Sequence, residues 1–234
     1  MVGLLTRRSG LICVVAALAV AFAGSVYAVT LGDSIRYADE QDYVTLAANV
    51  VSKGSYSFDG VHPTAFRPPA YPLLLSVVHW LGGGIVAYRL VSVAFLVLVA
   101  VGVWFLARRL AGPVAAALAV VVAAAYPLGF YTAGTLYPQT MAAAFLVWGL
   151  VAVAAVPAAA TRGRALALAL AAGVLFGLLV LTVPTFTVTF AIALAWLLAV
   201  RRRAALLPAV VAVVAAGAVL LPWTVRNEVD FHTL

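Results

Sequence analysis

The sequence is short of the residues on which most soluble proteins depend. It has one cysteine, one lysine and seven carboxylates in 234 residues, and only 9% of its residues are charged. A soluble globular domain carries about a quarter charged residues, so this composition excludes a water-soluble fold. The one cysteine, Cys13, excludes an internal disulfide and a cysteine-based metal site.

What remains is apolar, because hydrophobic residues make up 66% of the chain. Its long apolar runs suit a bilayer core of about 30 Å, which a helix of about 20 residues crosses. We therefore predict an all-α integral membrane protein, a single module over residues 1–234 with about seven transmembrane helices. The predicted spans are residues 11–29, 85–107, 113–130, 137–156, 165–182, 184–200 and 204–221. A cleaved signal peptide is the alternative interpretation of the first run.

Arginine residues set the predicted orientation. The net charge is +7, but the arginines stand in small groups between apolar runs, which indicates membrane topology rather than nucleic-acid binding. Nine of them fall on the side that this rule makes cytoplasmic: Arg7, Arg8, Arg108, Arg109, Arg162, Arg164, Arg201, Arg202 and Arg203. The amino terminus is therefore predicted to be cytoplasmic and the carboxyl terminus extracytoplasmic. Abundant alanine, valine and arginine with one lysine favours a GC-rich bacterium, and hence a bacterial plasma membrane.

All seven carboxylates and all three histidines fall on the opposite, outer side. Carboxylates contribute little to topology, so their segregation points to a function of the outer face. Four of them lie from Asp33 to Asp42 in the outer loop, residues 32–84. Apolar residues then recur at helical spacing from Tyr43 to Val51, which predicts an amphipathic helix in the outer interface. Asp39 at its start is also typical of a helix N-cap.

Two arginines near the outer face have features that suit phosphate binding. Arg67 precedes two prolines, which are expected to form an extended lead-in, and its planar guanidinium fits a phosphate. Nonspecific contact with lipid headgroups is the alternative. Arg89 lies inside an apolar run, where a charge is costly and is expected to have a phosphate or an outer acid as its partner. His62 is expected to be a solvated loop residue, since the histidines lack the spacing of a metal site.

Five short motifs follow one another along the chain. They are Asp39-Glu40-x-x-Tyr43, Gly54-x-Tyr56, Arg67-Pro68-Pro69-x-Tyr71-Pro72, Tyr88-Arg89-Leu90 and Pro222-Trp223-x-x-Arg226-Asn227. Their order and sidedness resemble the GT-C fold glycosyltransferases that use polyprenyl-phosphate sugars, in particular protein mannosyltransferases and lipid A aminoarabinose transferases. The resemblance implies an inverting transfer of a sugar to an acceptor outside the cytoplasm.

The resemblance also implies roles for individual residues. Asp39 corresponds to the general base of the first outer loop. The neighbouring candidates for acceptor binding or a secondary acid are Glu40, Asp42 and Tyr43. The candidates for binding the donor phosphate are Arg67, Arg89 and Arg226, and those for further polar contacts are His62 and Tyr71. No cofactor is implied, although a divalent cation stays open. The expected partners are the lipid-linked sugar, membrane lipid and a second membrane subunit.

Two alternatives to an enzyme remain. Family members often have an acid at the start of the fourth span, where this chain reads Leu136-Tyr137-Pro138-Gln139. This difference is consistent with a non-catalytic subunit or half-enzyme that binds polyprenyl phosphate or a partner membrane enzyme. A transporter is less favoured, because Arg89 is the only charged side chain in the predicted spans and an ion relay needs more.

Overall fold

The computed structural model describes residues 2–232; most of these residues lie in helices, and none of them lies in a β-strand. The α-helices of this part of the chain are α1 Val2–Leu31, α2 Ala38–Lys53, α3 Ala70–Trp80, α4 Ile85–Ala124, α5 Pro127–Gly134, α6 Gln139–Ala155, α7 Arg162–Thr182, α8 Thr187–Arg201 and α9 Leu206–Phe231. The predicted all-α class is confirmed.

Long apolar helices dominate the described part of the chain. Five helical segments are long and apolar enough to cross a membrane: Leu5–Leu31, Ile85–Ala124, Gln139–Ala158, Arg162–Thr182 and Pro184–Phe231. Their outer surfaces are also apolar, since Leu18 and Phe22 on α1 are 65% and 75% exposed. Such surfaces are unfavourable in water but suit lipid acyl chains. The protein is therefore membrane-embedded.

The chain divides into two units of dense internal contact, one ending at Ala144 and the other beginning at Phe145. In the first unit α1 packs along α4. The two helices approach closely, because a Cβ added to Gly24 would lie 2.7 Å from a methyl carbon of Val93. Small residues allow helices in a membrane to pack at this distance.

Segment α4 consists of two helices that meet at Gly112. This glycine has φ 87° and ψ −177°, a conformation that residues with a Cβ rarely adopt. In a straight helix Ala100 and Val120 would be about 30 Å apart, yet both belong to one buried cluster with Cys13 of α1. The chain therefore reverses at Gly112, between the second and third predicted spans.

The second unit is built around the packing of α7 along α9. Gly173 and Gly177 lie at this contact. A Cβ on Gly173 would overlap the carbonyl oxygen of Ala212, and one on Gly177 would lie 2.8 Å from the Cβ of Val219. The four-residue spacing places both glycines on one face of α7. The backbones of α7 and α9 can therefore approach closely along this face, because glycine has no side chain.

Two predicted spans differ from the observed helices. The third, residues 113–130, is interrupted where α4 ends at Ala124 and α5 begins at Pro127, since proline has no amide hydrogen to continue the helical bonding. The seventh, residues 204–221, was predicted to end before Pro222, but α9 continues to Phe231. Arg226 therefore lies on a helix rather than in a terminal tail.

Candidate active site in the loop between α1 and α4

The predicted outer loop, residues 32–84, contains α2 and α3. A helix is present where the sequence predicts one, although α2 begins at Ala38, ahead of Asp42, and Leu46 and Ala47 on its apolar face are fully buried. The lead-in to α3 differs from the expected extended form, because Pro69 has right-handed helical dihedral angles, φ −80° and ψ −26°. Arg67 thus stands just before the first turn of α3.

Asp39, Asp42 and Arg67 form an ion-pair cluster at the start of α2, which we call the acid–arginine cluster. The Arg67 Nη2 atom lies 2.7 Å from Asp42 Oδ2 and also donates to Asp39, while Nε donates to Asp42 Oδ2 at 3.1 Å. The two acids share one face of α2 because residues three apart on a helix are neighbours. The Asp39 side chain is 47% exposed and that of Arg67 is 17% exposed, so Asp39 is the more accessible to a ligand.

The formal charges of the acid–arginine cluster sum to −1. Burial lowers the pKa of Arg67, but its hydrogen bonds to Asp42 and Asp39 more than offset this effect and the pKa is raised overall. Arg67 therefore stays charged and neutralises one of the two acids. A carboxylate left with a net negative charge is better suited to accept a proton than to bind a phosphate.

The guanidinium of Arg67 packs against two aromatic rings. Its guanidinium carbon lies 5.3 Å from the centroid of the Tyr43 ring and 4.9 Å from that of Phe66. Tyr43 in turn meets Tyr71 edge to face, with 5.2 Å between centroids. The Tyr56 hydroxyl donates to the Arg67 carbonyl oxygen at 2.9 Å. Tyr56, from the Gly54-x-Tyr56 motif, thus fixes the backbone position of Arg67 at the start of the next motif.

Tyr71 connects this stack to α4. It is buried, and its hydroxyl oxygen lies 3.2 Å from Ser92 Oγ. Burial raises the pKa of Tyr71 and is also the largest cause of the raised pKa of Tyr43. Both phenols therefore stay neutral. Tyr71, predicted as a polar contact, is buried beneath the acid–arginine cluster.

Three tyrosines cluster near the start of α2. The rings of Tyr37 and Tyr137 stack with 6.0 Å between centroids, and the hydroxyl oxygens of Tyr37 and Tyr131 are 2.6 Å apart. Burial is the main cause of the raised pKa of Tyr137, and the negative charges of Asp39 and Glu40 raise it further. In the sequence, Tyr131 and Tyr137 are indistinguishable from an ordinary aromatic belt at the membrane interface.

Glu40 has a structural role. It is fully buried, and its carboxylate accepts hydrogen bonds from the backbone N–H groups of Arg36 at 2.6 Å, Tyr37 at 3.2 Å and Leu136 at 3.0 Å. Tyr37 occupies the N-cap position of α2, and Glu40 reaches back to its amide. The capping interpretation of Asp39 is therefore wrong, and Glu40 is not exposed to act as a secondary acid.

Arg89 is also fully buried. Its Nε donates to the carbonyl oxygen of Gly134 at 2.8 Å, and its two Nη atoms donate to the carbonyl oxygens of Gly32 and Ser34. The buried charge has partners, as predicted, but they are backbone carbonyls rather than an acid. A guanidinium without exposed surface cannot contact a donor phosphate, so the structure argues against that role for Arg89.

His62 and Arg226 have partners of their own. His62 Nδ1 lies 2.6 Å from Asp59 Oδ2 in an exposed turn. In the second unit, Arg226 lies 2.7 Å from Asp230 Oδ2 and stacks on Trp223 with 4.8 Å to the ring centroid. Among residues 2–232 there is no group of three histidine, cysteine or acidic side chains that could hold a metal ion.

An apolar groove of about 810 Å³ lies in the first unit, between the two halves of α4, α5 and the start of α6. Its lining residues Leu118 and Val122 are 65% and 70% exposed, so the groove opens onto the apolar outer surface. Thr140 also lines it, and the Thr140 hydroxyl is buried without a hydrogen-bond partner in the described part of the chain. Helix α5 lines this groove, while its Tyr131 bonds to Tyr37 beside the acid–arginine cluster.

Comparison of the chain with protein-family models, with curated proteins and with solved structures gives no match. The function is therefore argued from the chemistry of this site.

Proposed function

We propose that this protein is a membrane glycosyltransferase that moves a sugar from a polyprenyl-phosphate donor to an acceptor hydroxyl on the extracytoplasmic side. The observation that carries the proposal is a half-exposed carboxylate, Asp39, held by Arg67 in the same unit as an apolar groove. The apolar groove suits the long apolar tail of a substrate, and the Asp39 carboxylate suits its polar head.

The proposal includes a topology. The 40-residue segment Ile85–Ala124 and the 48-residue segment Pro184–Phe231 are each long enough for two crossings. Dividing them at Gly112 and near Arg202 gives seven spans. The amino terminus is then cytoplasmic, α2 lies in the outer interface, and the protein belongs to a bacterial plasma membrane.

The groove supports a lipid-linked donor. Its volume is within the range of about 300–1,000 Å³ usual for ligand sites, and its walls are almost entirely apolar. A prenyl chain would bury apolar surface there and enter sideways from the bilayer.

Asp39 supplies the base for the transfer. The oxygen of the acceptor hydroxyl attacks the anomeric carbon as its proton passes to the Asp39 carboxylate. The bond from the anomeric carbon to the phosphate oxygen breaks, and polyprenyl phosphate leaves with the electron pair. The tyrosine rings near the start of α2 offer flat apolar surfaces for a sugar ring. Arg67 holds Asp39 in position through the hydrogen bond from its Nη2 atom.

A second function, a non-catalytic subunit that binds polyprenyl phosphate, also has an observation in its favour. Arg89 is buried, and two nitrogens of Arg67 are already bonded to the acids. Neither of these two arginines therefore offers its full positive charge to a leaving phosphate. A subunit that only holds the lipid tail would not need that charge.

One experiment separates the two functions. Purified protein is tested for binding of undecaprenyl phosphate by native mass spectrometry. Membranes containing the protein are then tested for transfer of label from undecaprenyl-phosphomannose and undecaprenyl-phosphoarabinose. We expect Asp39→Asn to keep lipid binding and to lose transfer by a factor of about 10²–10⁴, and Asp59→Asn, which removes an acid of the same loop, to behave as wild type.

Lipid binding without transfer by the wild-type protein from either donor would favour the non-catalytic subunit. Full transfer by the Asp39→Asn variant would exclude Asp39 as the base. Absence of lipid binding would contradict both functions.

A further inference from the structure

A second cavity, of about 480 Å³, lies in the second unit where α7 and α9 begin. Three arginines line it: Arg162, Arg201 and Arg203. All three are exposed, so their charges are accessible from the cavity mouth. Thr161, the N-cap of α7, lines the cavity too, which adds the positive end of a 21-residue helix.

Arg201 and Arg203 reach the same cavity because the backbone leaves the helix between them. Residues two apart on an α-helix do not face the same way. At Arg202, however, the chain has φ 47° and ψ −126°, a conformation that is rare for residues other than glycine. Strained backbone of this kind persists only where the surrounding structure holds it in place. Here its effect is to direct two cationic side chains into one cavity.

The positive charge of this cavity is not neutralised within its unit. The acids of the second unit are Glu228 and Asp230. Along α9, Glu228 lies about 30 Å from Pro208 of the cavity wall, at 1.5 Å per residue. In the described part of the second unit Asp230 pairs with Arg226 rather than with these three guanidinium groups, which are therefore available to an external anion.

The remaining wall of the cavity is apolar. It includes Leu166 on α7 and Leu207 and Pro208 on α9, and both helices belong to segments that are apolar enough to cross a membrane. The cavity therefore combines a cationic mouth with an apolar side at the ends of membrane helices. A molecule that matches both has an anionic head and an apolar tail.

We propose that this cavity, which we call the arginine cavity, binds the phosphate-bearing headgroup of an anionic lipid, with the start of an acyl chain against the leucines. Guanidinium groups bind phosphate oxygens through paired, charge-assisted hydrogen bonds. Basic pockets between membrane helices are suited to anionic headgroups. The inference is independent of the proposed sugar transfer, since it uses neither Asp39 nor Arg67.

The test compares two double variants of the full-length protein. Arg201→Gln/Arg203→Gln removes two cavity charges, whereas Arg164→Gln/Arg202→Gln removes two neighbouring charges that do not line the cavity. Binding of phosphatidylglycerol and phosphatidylcholine is measured by native mass spectrometry in mild detergent. We expect the wild type to prefer phosphatidylglycerol, the cavity variant to bind it about ten- to thirtyfold more weakly, and the control variant to lose less than about threefold.

Equal weakening in both variants would indicate general attraction to a basic surface and would overturn the proposal. Inorganic pyrophosphate is added as a competitor. Displacement of phosphatidylglycerol by equimolar pyrophosphate would assign the cavity to a soluble phosphate and contradict the lipid assignment. If the double cavity variant fails to fold, Arg162→Gln alone is expected to weaken binding about three- to sixfold, and an unchanged affinity would also overturn the proposal.

Discussion

At the level of single residues, neighbouring carboxylates in α2 have different surroundings and different roles. Asp42 accepts two hydrogen bonds from Arg67 and is 31% exposed, whereas Asp39 accepts one and is 47% exposed. Asp42 therefore anchors the arginine, and Asp39 is the more accessible of the two acids. Glu40, between them in sequence, points the other way and is buried.

Glu40→Gln is expected to destabilise the protein. Glutamine replaces one acceptor oxygen by an NH₂ group, which would then face a backbone N–H donor inside the structure. We expect a loss of about 1–3 kcal/mol in the free energy of unfolding, measured by reversible denaturation in mixed micelles. Asp33→Asn, at an exposed position of the same loop, serves as the control and should change stability by less than about 0.5 kcal/mol. Equal losses for both variants would contradict the buried role of Glu40.

The sequence identifies this acidic segment but not the role of each acid. Four carboxylates within ten residues mark the loop, and helical spacing predicts α2. Which acid is buried depends on the N–H of Leu136, 96 residues away. The same holds for Arg89. A charge in an apolar run predicts that a partner exists, but not that the partners are backbone carbonyls. Contacts of this separation have no local pattern in a single sequence.

At the level of elements, the turn between α2 and α3 should respond to pH through Asp59. Asp59 Oδ2 bonds to His62 Nδ1, and Oδ1 accepts the N–H groups of Val61 and His62. The His62 side chain is the largest cause of the lowered pKa of Asp59, followed by the two amides. The stabilisation is therefore complete above the unfolded-state pKa of about 3.9 and is lost as the pH falls further, through the lower folded value.

Replacement of His62 should change this titration. We expect His62→Ala to raise the pKa of Asp59 towards its ordinary value, as measured from the carboxyl ¹³C shift of Asp59 by NMR. Val61→Ala is the matched control, because the contribution of Val61 comes from its backbone amide, which alanine keeps. An Asp59 titration that is unchanged in His62→Ala would contradict the assigned cause.

The contact between α7 and α9 should be sensitive to a single methyl group. Gly173→Ala would place a Cβ against the backbone of Ala212, which cannot move as a flexible side chain would. We expect overpacking to cost about 1–3 kcal/mol, seen as a lower melting temperature in detergent. In α9 a Cβ on Gly217 would meet no atom within 4 Å, so Gly217→Ala should stabilise its helix by up to about 1 kcal/mol. A neutral Gly173→Ala variant would contradict the close approach.

Element boundaries followed from the sequence where local signals coincide. The break near Gly112 follows from Arg108 and Arg109, which end the second apolar run, and the end of α7 at Thr182 follows from Pro184, two residues further on. The continuation of α9 through Pro222 was missed. Proline removes one hydrogen bond, but the turns on either side stay paired, and the ion pair of Arg226 with Asp230 supports the last turns.

At the level of the whole molecule, the number of crossings can be decided by chemical labelling. With seven spans, three crossings separate residue 62 from residue 163, so the two positions lie on opposite sides of the membrane. If Ile85–Ala124 crosses only once, two crossings separate them and both lie on the same side. The Gly112 reversal therefore determines the sidedness of every later segment.

We expect opposite labelling of His62→Cys and Gly163→Cys, each made in a Cys13→Ala background. An impermeant maleimide should label the cysteine at position 62 in intact cells and the one at position 163 only after permeabilisation. Both sites are exposed, so lack of labelling would reflect sidedness rather than burial. Labelling of both positions in intact cells would contradict the seven-span topology.

The burial of Arg89 has a consequence for how the first unit opens. The Arg89 guanidinium bonds to the segment after α1, through Gly32 and Ser34, and to the end of α5, through Gly134. It thereby joins both to the beginning of α4. Three segments that are distant in sequence are therefore linked by the hydrogen bonds of one buried arginine, and none of them can unfold locally without breaking those bonds. Their amides should exchange with deuterium as one cooperative unit, and the acid–arginine cluster, which is built between these stretches, would keep its geometry until that unit opens.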